Sequence, residues 1–243
     1  MKDRIIAVLI FAVIYMTVWL SIFVFTYKNS KVKNKISMFI STHTGLSASY
    51  AYSLFATIYY CIMPLIGGIV IMKMAGLNFF DIFHRGSDNI LRTFLCFVTG
   101  ELVVMSIVAV PMVIYAVLHP EVRIDEAIKD INWISGISRL PGKIPMLIPC
   151  ISACCEEFFF RVVLFVVLIA LGMPALYAMI IVTLLFVINQ VVLTKNGLQA
   201  FVLGVSSFCI SLVSCLLIVI TGNVIASFVI HASFAGFYAN GGK

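Results

Sequence analysis

Residues 144–171 read IPMLIPCISACCEEFFFRVVLFVVLIAL, and this stretch decides the fold class. A membrane-spanning helix needs about 20 predominantly apolar residues, and the stretch supplies them. Its only charges, Glu156, Glu157 and Arg161, stand together in its middle. Charged groups in a bilayer core cost several kcal/mol or more, so such a cluster must be paired or functional. The expectation is an all-α, polytopic transmembrane bundle in which this helix is central.

The same composition extends in both directions. Ile5–Tyr27 is a run of 23 residues without a charge, bounded by Lys2/Arg4 and Lys28. A signal-peptide core is about 7–15 residues long and ends at small residues, so this run predicts a retained helix. Further runs are Ala48–Met72, Thr93–Leu118, Ala175–Leu193, Leu198–Ile220 and the shorter Val224–Ala239, which makes about seven spans. Breaks fall at Gly172-Met173-Pro174, Lys195-Asn196-Gly197 and Thr221-Gly222-Asn223. Ile36–Ser47 fits either a connection or an interfacial turn of helix. The chain is 63% hydrophobic and 11% charged, whereas a soluble domain is about a quarter charged, so a water-soluble fold is excluded. One membrane domain is expected, with three N-terminal helices and their loops in 1–143 and a helical core in 144–243.

The net charge of +6 comes from Lys and Arg between the apolar runs. Basic loops of this kind anchor helix ends and set orientation, and nucleic-acid binding is not expected. With seven spans, the side carrying the 28–35 and 119–143 loops holds ten Lys and Arg against five opposite. That puts the N-terminus outside and the C-terminus in the cytoplasm. The lipid bilayer is the first partner. The seven cysteines lie inside apolar runs at spacings that fit neither zinc nor a disulfide framework.

Five ionisable residues fall inside apolar runs: Glu101, Glu156, Glu157, Arg161 and His231. Glu157 and Arg161 are i,i+4, roughly 40° apart around a helix, with the acid N-terminal as an ion pair prefers. Glu156 lies roughly 140° from Arg161, on another face. The pair Glu157–Arg161 is therefore expected to be structural, leaving Glu156 available as a base. Glu156 is about 18 Å from Ile144 along its helix and His231 about 12 Å from Ala239, so the two reach one layer. A carboxylate and an imidazole in a dry pocket can activate water, polarise a carbonyl, carry a proton or bind a cation. Glu101 has no assigned role.

The segment Ile144–Ala239 resembles the CPBP family, the CAAX-protease-like, Abi-type membrane proteins related to type II CAAX prenyl endopeptidases. Glu156-Glu157-x-x-x-Arg161 matches that family's first motif. Leu184-Leu185-Phe186-Val187-Ile188-Asn189-Gln190 has the shape of the second, and Thr221-Gly222 followed by His231-Ala232 that of the third. The resemblance implies an intramembrane endopeptidase in which Glu156 and a motif-two His activate water while His231 and an Asn stabilise the oxyanion. Here Gln190 stands at the His position and Ala235 at the Asn position, beside Phe186. Gln does not titrate near neutral pH, and a lost oxyanion donor costs about 10²–10³ in rate.

Three readings follow. The chain is a pseudoprotease that binds a membrane protein or peptide, as in the bacterial envelope or self-immunity roles associated with Abi-like members. Or it is an active hydrolase using Glu156 and His231, or a proton- or ion-coupled transporter. No cofactor is expected, and no metal, because a catalytic zinc needs three protein ligands.

Overall fold

A computed structural model describes residues 2–78, 82, 90–131 and 144–240 of the chain. Among these residues every regular element is helical. In order they are α1 (Lys2–Lys28), α2 (Ser30–Thr44), α3 (Ala48–Ala75), α4 (Ile90–Leu118) and the short α5 (Ile124–Lys129). Then comes a rod, α6, that is α-helical over Ile144–Glu157, π-helical over Phe158–Phe165 and α-helical again over Val166–Ala170. It is followed by α7 (Ala175–Val191), α8 (Gly197–Thr221) and α9 (Ile225–Asn240). Of the basic loop positions, Arg85, Arg139, Lys143 and Lys243 lie outside the described residues.

Each apolar run falls on a helix. Four helices are long and apolar enough to cross a membrane: Lys2–Lys28, Tyr50–Ala75, Ile90–Leu118 and Gly197–Thr221. Ala175–Val191 and Ile225–Gly236 are apolar but shorter. The segment 36–47, open in the sequence, lies mostly in α2, which packs against α3 and α1. The α2 helix begins where the Asn29 side chain accepts from Val32 N at 3.2 Å. The break before α8 works the same way, with Asn196 accepting from Gln199 N at 2.9 Å. At Thr221-Gly222-Asn223 the chain leaves α8 through Gly222 at φ 68°, a left-handed conformation in which a side chain would be strained.

The main core joins α1, α3, α7 and the π-helical part of α6. A second cluster joins α4, α8 and α9. Close approach of α3 to α6 depends on two small residues. A Cβ on Gly67 would come within 2.8 Å of the Phe159 ring, and one on Gly68 within 2.6 Å of Phe158. Small residues at such contacts let helix backbones approach where lipid offers no hydrophobic driving force between helices. Trp19, Tyr60 and Phe159 then meet edge to face, the indole 5.5 Å from Tyr60 and 6.0 Å from Phe159.

Candidate functional site

Glu156 and Glu157 close the first α-helical part of α6, immediately before the wider π-turns begin. Runs of π-helix are rare, and short π-bulges recur at functional sites. All residues from Glu156 to Leu168 are buried, so both carboxylates need partners from the protein.

The neighbours divide the two acids sharply. Glu157 is fully buried and its Oε1 lies 3.1 Å from Arg161 Nη1 and 2.9 Å from His231 Nδ1. Arg161, also fully buried, lays its guanidinium 3.8 Å from the centre of the Phe186 ring. Phe186 is in turn edge-on to His231 at 5.2 Å and to Phe160 at 5.2 Å. The cation is thus neutralised on one side and faces an aromatic quadrupole on the other.

Glu156 is held from α7. Asn189 Nδ2 donates to its Oε1 at 2.9 Å, and Gln190 Nε2 reaches both oxygens at 3.0 and 2.9 Å. His231 Nε2 stands 3.8 Å from Glu156 Oε2, beyond hydrogen-bond range. This differs from the sequence expectation in two respects. Glu156, expected to be available as a base, is clamped by two amides from α7, and His231 bonds the acid expected to be committed to Arg161. The reason is that His231 approaches along α9 on the side of α6 that presents Glu157. With Nδ1 donating to a carboxylate, the imidazole keeps Nε2 for the space beside Glu156.

That space is a cavity of about 740 Å³, which Glu156, Gln190, His231 and Ala235 all line. Its volume lies within the usual range for ligand pockets, about 300–1,000 Å³. Phe186, Glu157 and Arg161 stand behind its wall and support His231. Helices α1, α2 and α3 contribute residues such as Phe23, Tyr27, Lys33, Ser37, Tyr52 and Tyr60, and α8 adds Leu203, Ser206, Ser207 and Ile210. Sequence reading did not assign those N-terminal residues or Asn189 to the site. Two adjacent amides in an apolar run were a usable signal for Asn189, whereas the aromatic residues of α1 and α3 were indistinguishable from ordinary packing.

Glu101 lies apart from the cavity. Its Oε1 accepts from Ser233 Oγ at 2.6 Å, an α4–α9 bond on the outer side of the second cluster.

An all-helical bundle with a buried Glu–His–Arg cluster under a cavity is thus the class that fold and site define. Residues 90–239 match a family model described as a family of unknown function, DUF5968, and the chain belongs to that family. No curated protein and no solved structure matches. The match covers α4 to α9 and therefore both carboxylates, Arg161, the two amides and His231, while α1 to α3 lie before it.

Proposed function

We propose that this chain is a membrane protein of about seven spans, with its N-terminus outside and C-terminus cytoplasmic, whose CPBP-like pocket binds a membrane protein or peptide without hydrolysing it. The span count rests on α6, α7 and α9 joining the four longer apolar helices, with a thin bilayer or tilt accommodating the shorter ones. The orientation rests on the excess of Lys and Arg in the 28–35 and 119–143 loops.

The observation that carries the binding reading is the Gln190 amide on both oxygens of Glu156. A general base must have a lone pair free to take a proton from water within about 2.6–3.2 Å. Here two amide groups make three contacts and take about three of that carboxylate's four lone-pair positions, which lowers its basicity, and the clamping residue neither gains nor loses a proton. Ala235, on the same cavity, offers no donor to a developing oxyanion.

An active endopeptidase is the second reading. It draws on the Glu157-anchored His231, whose Nε2 stays beside Glu156 and could polarise a carbonyl. Restoring both residue types decides between them. Gln190→His combined with Ala235→Asn is expected to raise cleavage of a peptide substrate by about 10²-fold or more, the value of a positioned acid–base group. Adding Glu156→Ala should abolish the gain. Wild-type cleavage equal to that of the repaired protein would overturn the non-hydrolytic reading.

A further inference from the structure

We infer that the cavity takes an acidic peptide segment, its carboxylates at Lys28 and Lys33 and its backbone against hydroxyls deeper in; this rests on the peptide-binding reading above. The first observation is the charge at the mouth. Lys28 and Lys33 both line the cavity, and neither pairs with a carboxylate among the described residues. The Lys33 ammonium instead sits 4.7 Å from the Tyr27 ring centre and 4.9 Å from that of Tyr52. Two aromatic faces fix the cation in place without cancelling its charge, so it remains available to an anion.

The second observation is independent and concerns the interior. Tyr60 is 8% exposed and lines the cavity, and its hydroxyl has no hydrogen-bond partner among the described residues. Ser207 and Ser37 line the same space at 5% and 6% exposure. Helical hydroxyls usually bond back to the preceding turn, as Thr57 does to Ser53 O at 2.9 Å. Ser207 and Ser37 make no such bond among the described residues. A wall carrying these hydroxyls is a poor match for a hydrocarbon chain, which would leave them buried and unsatisfied. It suits a peptide, whose carbonyls and amides recur along an extended backbone.

The distance between the two regions fits the same occupant. Tyr52 and Tyr60 are eight residues apart on α3, which is about 12 Å of helix rise. An extended peptide covers that in about four residues. Its carboxylate-bearing end then lies at Lys33 while its other end reaches the layer of Tyr60, Glu156 and His231. Helices α1 to α3 precede the family match, so selection of the charged segment belongs to a different part of the chain from the Glu–His layer.

The test uses the full chain in phosphatidylcholine nanodiscs and fluorescence anisotropy. The probes are a short fluorescein-labelled peptide with a glutamate pair at one end and its counterpart with a lysine pair. The acidic probe is expected to bind about tenfold tighter, the scale of one charge-assisted hydrogen bond. Lys28→Gln with Lys33→Gln should bring the two probes level, while Lys33→Arg keeps the preference. Tyr60→Phe should weaken both probes by about threefold, as loss of one neutral hydrogen bond does. Equal binding of the probes to wild type, or no binding of either, overturns the inference. So does displacement of the acidic probe when phosphatidylglycerol is added to the nanodisc, which would assign the cavity to a lipid. Glu156-dependent cleavage of the acidic probe would end the non-hydrolytic reading and leave the acid preference standing.

Discussion

Helices α4 and α6 look alike as sequence and sit in opposite environments. Each is an apolar stretch of spanning length with glutamate inside it and proline within it. Yet α4 buries only Gly100, Val104 and Val108, whereas α6 is buried without interruption from Glu156 to Leu168. Mean hydropathy does not separate them, because lipid and protein interior are about equally apolar. What separates them is the number of neighbours that can meet a charge. Glu157 finds Arg161 and His231, and Glu156 finds Asn189 and Gln190, from α7 and α9 as well as from α6 itself. Among the described residues, Glu101 finds one hydroxyl, that of Ser233.

Substitutions should therefore grade by the partners they strand. Arg161→Ala leaves the fully buried Glu157 with His231 alone, and removing one partner of a buried pair costs about 3–5 kcal/mol. The expected outcome is a large loss of folded protein in fluorescence-detected size exclusion, exceeding that of Glu156→Ala, whose loss leaves only neutral amides behind. Equal accumulation of the two variants would break the division between the acids.

A smaller effect is expected at Phe159, fully buried between α1, α3 and α6. Phe→Ala costs about 3–5 kcal/mol in a water-soluble core. In a bilayer the transfer part largely falls away and the packing part remains, so about 2 kcal/mol is expected for Phe159→Ala. A thermal melt in detergent and another in lipid would measure it, and an unchanged midpoint in both would show that the close α3–α6 contact contributes little. The smallest effect belongs to α4. Val113 is 60% exposed, and Val113→Ala should stay within about 0.5 kcal/mol. A melting shift as large as that of Phe159→Ala would mean that α4 has a protein neighbour on that face.

The sequence by itself determined the all-helical class, the position of every apolar helix and the breaks between them. Run length, charge at the ends and the punctuation of Gly172, Asn196 and Gly222 are local properties, and each acts within a few residues of itself. It also singled out Glu156, Glu157, Arg161 and His231, because ionisable groups in apolar runs are conspicuous whatever surrounds them. Three things were left to tertiary structure. Which acid takes His231 depends on the approach of α9, because Glu156 and Glu157 are neighbours on the same helix and only a second helix tells them apart. The clamp on Glu156 depends on α7 bringing Asn189 and Gln190 to it together. The wall formed by Lys33, Tyr52 and Tyr60 depends on α2 and α3 closing over a site whose acids lie about a hundred residues further along the chain. Hydrogen bonds and ring contacts act over a few ångströms, so their partners are fixed only once the helices have packed.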